Sequence, residues 1–323
     1  MTAILDVRAL CVDFQTRSGR LRAVDALSFD IFAGETVALV GESGCGKSTA
    51  ALAMLGLTSS SQGIITAEGV LFEGRNLFDL TAQQMRQVRG EKIAMIFQDP
   101  AAYLNPVHTV GRQIGEVLEV HQGLGLQARR ARAVELLALV GVPAPQERID
   151  QYPHNLSGGM RQRVMIAMAL ACNPTLLIAD EPTTALDVTI QAQVLRLIDE
   201  LKARLGMSVL LITHDLGVVS ETADRVVVMY AGRKVEEGTT TEVLSNPRHP
   251  YTQGLLRAAS WSRNTGGIFY EIPGTVPPLD AARPGCAFAQ RCPEVMDRCR
   301  ATRPASRLIG VRRSVSCLLE DAP

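Results

Sequence analysis

The sequence has few aromatic residues and no net charge. Phe, Trp and Tyr make up 4% of its 323 residues, and 33 Lys and Arg are balanced by 33 Asp and Glu. Proteins that bind nucleic acid usually present excess positive charge, and those that hold single strands add aromatic rings on which bases stack. We therefore expect no nucleic-acid partner.

Long apolar stretches are also absent. Residues 1–6 do not combine a charged start with an apolar core, as a secretory signal would. The apolar run without a charged residue at 164–179 is interrupted by Asn173 and Pro174 and is too short to cross a bilayer. With 46% hydrophobic residues, the chain can still bury a large core. We expect a cytoplasmic globular protein that could dock on a component of the membrane.

One stretch carries a specific pattern, which is Gly, four residues and then Gly-Lys-Ser. The apolar run at 36–40 before it predicts a buried strand, and residues 49–56 after it favour a helix. In this context the loop N–H groups and the helix N-terminus bind phosphate, while Lys47 and Ser48 reach the terminal phosphates and Mg²⁺. The predicted phosphate loop is Gly41, Glu42, Ser43, Gly44, Cys45, Gly46, Lys47, Ser48 and Thr49.

Two carboxylates follow a second apolar run. Residues 176–179 predict a buried strand that ends at Asp180 and Glu181. In a parallel sheet the carboxyl ends of the strands share one edge, so we expect both carboxylates beside the phosphate loop. There Asp180 would reach Mg²⁺, and Glu181 would polarise the water that attacks the γ-phosphate. The alternative is an acidic turn without a catalytic role.

A second candidate anion site opens an apolar helix predicted at 164–172. Its residues are Leu156, Ser157, Gly158, Gly159 and Met160. The N-terminus of a helix favours anions because its N–H groups are unpaired. The alternative is an ordinary helix start with Ser157 as the capping residue. The motif alone leaves both interpretations open.

Predicted strands and helices alternate through much of the chain, which is typical of an α/β layer with a parallel sheet. Segment 99–157 favours an inserted helical subdomain, and a shift toward Pro, Arg and Cys near residue 245 separates a domain at 1–245 from an extension at 246–323. The remaining predicted elements are strands at 4–14, 27–31, 64–72, 92–97, 175–179, 208–213 and 225–230 and helices at 81–89, 188–205 and 216–223.

Together these motifs resemble those of the ABC-type ATPases, over about 200 residues. The phosphate loop matches the family's Walker A motif, residues 176–181 match Walker B, and residues 156–160 match the signature motif, in which Met160 replaces the commoner Gln. The resemblance implies a P-loop (RecA-like) α/β core with an antiparallel β edge. It also assigns Gln98 to the Q-loop, residues 185–187 with Asp187 to the D-loop, His214 to the switch histidine and Phe14 to adenine stacking.

The resemblance implies a mechanism as well. Two subunits would close head to tail, with each ATP between one Walker A loop and the opposite signature motif. Glu181 would act as general base and His214 would contact the γ-phosphate. Gln98 would join Ser48 and Asp180 at Mg²⁺ and couple the metal to the helical subdomain. A coupling helix of a transporter would sit in the groove beside Gln98.

Cys45 occupies a variable position of the phosphate loop. The ordinary interpretation is a small residue that fills space. A thiol near a helix N-terminus can also have a lowered pKa. On that basis we expect a maleimide to block ATP hydrolysis and bound ATP to protect.

Four of the seven cysteines lie near the C-terminus, among arginines and prolines. Clustered cysteines in a cytosolic protein are more often metal ligands than disulfides, although the spacing here is not that of a zinc knuckle. Four thiolates could hold zinc or an iron–sulfur cluster, whose negative charge nearby arginines would offset. The alternative is four unrelated buried thiols. The residues are Cys286, Cys292, Cys299 and Cys317.

The C-terminal part of the sequence resembles a narrower group within the ABC-type ATPases. Residues 246–256, 272–279 and the four cysteines are similar to the C-terminal region of oligopeptide/dipeptide importer ATPases, and residues 152–163 and 182–188 agree. Some members of that group carry a four-iron, four-sulfur cluster on these cysteines. The resemblance implies a peripheral protein on the cytoplasmic face of the inner membrane. Its partners would be a second, often non-identical ATPase, two permeases and, indirectly, a substrate-binding protein.

Peptides are the first expectation for the solute, and nickel or another small solute is the alternative. A soluble ABC ATPase acting in DNA repair or on ribosomes is disfavoured because such proteins usually insert long coiled coils or carry two cassettes. A non-hydrolysing scaffold is disfavoured because the catalytic motif residues are all present.

Overall fold

The computed structural model describes residues 2–17, 19–58, 63–183, 187–259, 270–277 and 284–321. The strands are β1 (Ala3–Thr16), β2 (Gly19–Phe32), β3 (Thr36–Val40), β4 (Gly63–Thr66), β5 (Gly69–Phe72), β6 (Arg75–Asn76), β7 (Ile93–Ile96), β8 (Leu176–Asp180), β9 (Ser208–Thr213), β10 (Arg225–Tyr230), β11 (Arg233–Thr239), β12 (Arg307–Gly310) and β13 (Arg313–Val315).

The helices begin with α1 in the phosphate loop and end in the C-terminal extension. They are α1 (Lys47–Met54), α2 (Ala82–Glu91), α3 (Pro100–Tyr103), α4 (Val110–Gln122), α5 (Leu126–Leu139), α6 (Pro145–Arg148), α7 (Gly158–Ala169), α8 (Val188–Leu205), α9 (Leu216–Thr222), α10 (Thr240–Ser245), α11 (Pro250–Ala259) and α12 (Asp297–Ala301). Across the described ranges, no helix is long and apolar enough to cross a membrane. The chain forms two compact units, residues 1–78 with 212–323 and residues 79–211.

The first unit contains an antiparallel sheet built around β1. Strand β2 pairs with one edge of β1 along most of its length, and β4 and β5 pair with the other edge. The single strand predicted at 64–72 is therefore two strands. The reason lies in β1, where Ala9 has a φ of +48° and separates the stretch that pairs with β5 from the stretch that pairs with β4.

The same unit also contains a mixed sheet. Strands β3 and β10 run parallel, β11 and β13 continue the sheet antiparallel, and β12 forms its edge. Every residue of β3 and β10 is buried, as expected for parallel strands covered on both faces. The predicted strands at 36–40 and 225–230 have these bounds.

The second unit begins with α2, whose N-cap Thr81 forms a capping box with Gln84. Strands β7 and β8 are parallel, and the N–H of Ser208 at the start of β9 donates to the carbonyl of Thr175. Helices α4, α5 and α7 pack on one another. The predicted helical segment contains α3 to α6, and the apolar helix expected at 164–172 begins earlier, at Gly158.

The C-terminal extension shares the core of the first unit. Strand β13 pairs with β11, and Tyr251 of α11 and Phe288 are buried against Tyr230 of β10. The ring centroids of Tyr230 and Tyr251 are 4.6 Å apart, and those of Tyr230 and Phe288 are 5.1 Å apart. This aromatic cluster joins the extension to the strand next to β3.

Candidate functional site

The phosphate loop of the first unit runs from the end of β3 to the start of α1. Gly41 and Gly46 have φ values of +157° and +103°. A Cβ at Gly41 would lie 2.2 Å from the carbonyl oxygen of Met229, and one at Gly46 would lie 2.4 Å from that of Ala23. Larger residues cannot occupy either position without moving the backbone. The loop is therefore packed directly against neighbouring main chain.

Lys47 begins α1, and its side chain is turned into the loop. The residue is 5% exposed, and Nζ donates to the carbonyl oxygens of Gly41 at 2.8 Å and Glu42 at 3.1 Å. An ammonium group at the N-terminus of a helix adds to the positive end of the helix dipole. Such a loop can bind the phosphates of a nucleotide.

Cys45 is enclosed by the folded phosphate loop. The residue is fully buried, and Sγ lies 3.9 Å from Nζ of Lys47. Burial raises the pKa of the Cys45 thiol, despite the opposing effect of the Lys47 charge. The expected lowered pKa is wrong because the folded loop excludes water from the sulfur. The block of ATP hydrolysis by a maleimide stays a prediction, and burial of the thiol should make the labelling slow.

In the second unit, β8 ends at the predicted carboxylate pair. Asp180 is 5% exposed, and Glu181 follows with a φ of +44°. This left-handed conformation is uncommon for residues other than glycine and often marks functional sites. Nε2 of Gln98 donates to Oε2 of Glu181 at 2.9 Å. The structure thus brings together the predicted Q-loop glutamine and the predicted general base, which are far apart in the sequence.

The predicted signature residues open α7. Oγ of Ser157 caps this helix by accepting from the Met160 N–H at 3.3 Å, while Leu156 is buried. Ser157 and Gly158 are exposed at the helix N-terminus, and Gly159 approaches Ile190 of α8. The serine therefore acts as the capping residue. The exposed N-terminus also remains accessible to an anion.

Other predicted site residues lie at element ends or edges. His214 is exposed after β9, and Phe14 is half-buried in β1 opposite Leu21. Asp187 caps α8 by accepting from the Ile190 N–H at 2.9 Å. Residues 185–186 of the predicted D-loop lie outside the described residues. The assigned roles of all these residues stay predictions.

The four C-terminal cysteines are close to one another. The Cys286 N–H donates to the Cys299 carbonyl at 2.8 Å, and all four thiols are free. Burial, followed by the charges of the other three sulfurs, raises the pKa of Cys317 to about 11. Burial also raises the pKa values of Cys286 and Cys292. However, no group of three or more His, Cys, Asp or Glu side chains within the described ranges is arranged to hold a metal.

Sequence reasoning missed one set of contacts to the phosphate loop. Glu42 is bound by Arg291 through its carboxylate and by Tyr251 through its backbone N–H. Both partners belong to the C-terminal extension, more than 200 positions along the chain. No local spacing or periodicity indicates such a long-range pair.

Two family models match the sequence. The model described as "ABC transporter" matches residues 24–184, and the model described as "Oligopeptide/dipeptide transporter, C-terminal region" matches residues 235–299. The first range includes the phosphate loop and Glu181, and the second includes Tyr251 and Arg291.

Curated proteins match over nearly the whole chain. The dipeptide transport ATP-binding protein DppD of Escherichia coli strain K12 is 49% identical over 99% of this chain and 98% of its own. The DppD protein of Bacillus subtilis strain 168 is 48% identical over 99% and 96%. A probable peptide ABC transporter ATP-binding protein of Sinorhizobium fredii, y4tR, is 50% identical over 97% and 94%.

Solved structures of ABC transporter proteins are also similar to this chain. CbiO1 of Clostridium perfringens, part of the ABC transporter complex cbiONQ, is 30% identical with a TM-score of 0.63, covering 76% of this chain and 92% of its own. The bacterial ABC transporter cassette MJ0796, solved as a dimer, is 27% identical with a TM-score of 0.65 over 73% and 98%.

Proposed function

The chain belongs to the ABC transporter ATP-binding family, and from this premise we propose that it is the ATP-hydrolysing subunit of a peptide importer. The observation that carries the proposal is the match over nearly full length to dipeptide transport ATP-binding proteins, which includes the C-terminal region. The glycine-rich loop around Lys47 and the hydrogen bond between Gln98 and Glu181 support the hydrolytic role.

We assign the catalytic steps to residues as follows. Glu181 accepts the proton of the attacking water, because a carboxylate held by an amide N–H keeps a fixed orientation toward that water. Lys47 releases its loop carbonyls and binds the terminal phosphates of ATP. His214 contacts the γ-phosphate, and Phe14 stacks on adenine.

The same proposal includes Mg²⁺. The hydroxyl, amide and carboxylate oxygens of Ser48, Gln98 and Asp180 are hard donors of the type that this ion prefers. When bound, Mg²⁺ offsets negative charge on the β- and γ-phosphates.

We further propose that the chain works as one of two ATPase subunits. The exposed start of α7, with Ser157 and Gly158, would contact ATP held by the second subunit, and Asp187 would lie in the D-loop between them. The subunits would act with two permeases and a substrate-binding protein, at the cytoplasmic face of the inner membrane.

The decisive experiment is Glu181→Gln. Steady-state phosphate release by the purified protein should fall at least about 100-fold, because loss of a general base typically removes 10²- to 10⁴-fold of the rate. Binding of ATP should persist, since the phosphate loop is intact. Glu147→Gln, at an exposed position of α6, is the control and should keep wild-type phosphate release. Unchanged hydrolysis in Glu181→Gln would refute the proposed base.

A metal on the four cysteines is a separate proposal. We propose a four-iron, four-sulfur cluster, with zinc as the alternative, held by Cys286, Cys292, Cys299 and Cys317. Its support is the mutual proximity of the sulfurs. Burial is the main cause of the raised pKa of Cys317, and the charges of the other three sulfurs add to it. Because the thiols are not arranged as a metal site, binding would require them to move. Iron, sulfide and zinc analysis of anaerobically purified protein, with a Cys299→Ser control, tests this proposal.

A further inference from the structure

We infer that Arg291 is a positioning residue for ATP binding, through which the C-terminal extension holds the phosphate loop. The inference rests on the proposed ATPase function and adds a role that the phosphate-loop motif does not contain. It concerns the contacts of Glu42, the second residue of the loop.

The pair between Arg291 and Glu42 is bidentate. Nη1 of Arg291 lies 2.7 Å from Oε2 of Glu42, and Nη2 lies 3.0 Å from Oε1. The Arg291 side chain is 5% exposed and that of Glu42 is 26% exposed. Two parallel charge-assisted hydrogen bonds fix the carboxylate in direction as well as position. Limited exposure reduces the screening that weakens surface ion pairs.

Arg291 is itself held in place by the extension and by β10. Nη2 also donates to the carbonyl of Ile272 at 3.0 Å, and Nε donates to that of Pro273 at 3.0 Å. Nη1 contacts the Tyr230 hydroxyl at 3.4 Å. These contacts fix the position of the guanidinium. Through Glu42, the phosphate loop is therefore bound to a group that cannot easily move.

A second contact holds the backbone of the same residue. The Glu42 N–H donates to the hydroxyl oxygen of Tyr251 at 2.9 Å. Tyr251 is fully buried, with its ring against Tyr230 and Phe288. The extension thus holds both the main chain and the side chain of Glu42.

Holding Glu42 affects the loop residues that would meet phosphate. Its carbonyl accepts from Nζ of Lys47 at 3.1 Å and from the Cys45 N–H at 3.2 Å. The Glu42 carboxylate is also a negative charge in the loop proposed to bind the triphosphate, and Arg291 neutralises it. Removal of Arg291 would leave that charge unpaired and the first half of the loop less constrained.

The test is Arg291→Gln in the full chain. Equilibrium binding of a non-hydrolysable ATP analogue should weaken about tenfold, which is the typical effect of losing a hydrogen-bonded charge. The maximal hydrolysis rate at saturating ATP should change by less than about twofold, because Arg291 supports binding rather than chemistry. The control is Arg248→Gln, which breaks a bidentate surface pair with Glu320 in the same extension and should leave affinity unchanged.

The double variant Glu42→Gln/Arg291→Gln separates the loss of positioning from the effect of an unpaired carboxylate. Removing both charges leaves no unpaired carboxylate, so it should bind the analogue more tightly than Arg291→Gln alone. Thermal unfolding without nucleotide checks that all variants are folded. Wild-type affinity in folded Arg291→Gln would overturn the inference. Full recovery of wild-type affinity in the double variant would also overturn it, because that variant lacks the bidentate pair as well. A wild-type chain that neither binds nor hydrolyses ATP would instead refute the proposed function.

Discussion

At the scale of single residues, the close approach of neighbouring backbone determines which positions of the phosphate loop require glycine. The carbonyl of Ala23 occupies the space where Gly46 would carry a side chain, whereas nothing lies within 4 Å of the corresponding point at Gly44. Both glycines have positive φ. Both positions therefore favour glycine because of their positive φ, but only at Gly46 would a side chain clash with neighbouring main chain.

We expect Gly46→Ala to be far more damaging than Gly44→Ala. Gly44→Ala should cost about 1 kcal/mol for the left-handed backbone alone. Gly46→Ala adds a clash with the main chain and should cost about 3 kcal/mol or more. Thermal unfolding and binding of an ATP analogue measure both effects. Equal melting temperatures for the two variants would contradict the close approach of Ala23.

At the scale of elements, the first half of β2 is a strand that no apolar pattern in the sequence indicates. The apolar half of β2 at 27–31 is predicted from the sequence. The first half of the strand is polar, and its sequence does not predict a strand. Arg20 and Arg22 lie there, and both pair with Asp13 of β1, which is fully buried. Burial alone would raise the pKa of Asp13, but the hydrogen bonds from Arg22 and Arg20 lower it. Ion pairs between the two strands therefore stabilise the polar start of β2.

The junction between α10 and α11 gives a prediction about pH. His249 is 1% exposed, its Nδ1 accepts from the Tyr251 N–H, and burial lowers its pKa from 6.5 to about 3. Below about pH 6.5 the unfolded chain binds a proton at this residue that the folded chain does not bind. The free energy of unfolding must therefore decrease as pH falls through this window.

Between pH 7 and pH 5, this loss should reach about 2 kcal/mol, since each unit of pH within the window corresponds to about 1.4 kcal/mol. His249→Gln keeps a side-chain acceptor for the Tyr251 N–H but cannot titrate. Its loss of stability between the two pH values, measured by chemical denaturation, should be smaller than that of the wild type by this amount. An identical loss in both proteins would contradict a buried neutral His249.

At the scale of the whole molecule, the C-terminal extension and the phosphate loop belong to the same compact unit, residues 1–78 with 212–323. Strand β13 completes the sheet beside β11, and the buried rings of Tyr251 and Phe288 pack on Tyr230. In the second unit, large apolar side chains remain exposed around the helices that follow Gln98. They are Tyr103, Val107, Val120 and Leu126.

We expect part of this apolar surface to contact the permeases. Val107 is 72% exposed, and Val311, in the turn between β12 and β13, is 89% exposed. With the permease pair co-expressed, Val107→Asp should reduce the protein recovered in the membrane fraction several-fold. Val311→Asp is the matched control and should leave recovery unchanged.

Both variants should bind ATP normally. Equal membrane recovery of Val107→Asp and the wild type would exclude this contact.

The sequence alone determined the type of many elements in the first 230 residues and the location of the chemical motifs. Apolar runs such as 36–40, 208–213 and 225–230 are strands because burial on both faces demands continuous apolar residues. The loop from Gly41 to Thr49 is recognisable because phosphate binding requires particular residue types at fixed local spacing. These properties depend on neighbours in the chain.

Properties that depend on residues far apart in the sequence were decided only by the tertiary structure. Cys45 is buried by the folded loop, and the polar start of β2 pairs with β1 where Arg20 and Arg22 contact Asp13. Glu42 is held by Tyr251 and Arg291, which local sequence cannot reveal. Burial, pKa and long-range ion pairs are set by groups that meet only after the chain has folded, so no local pattern in the sequence records them.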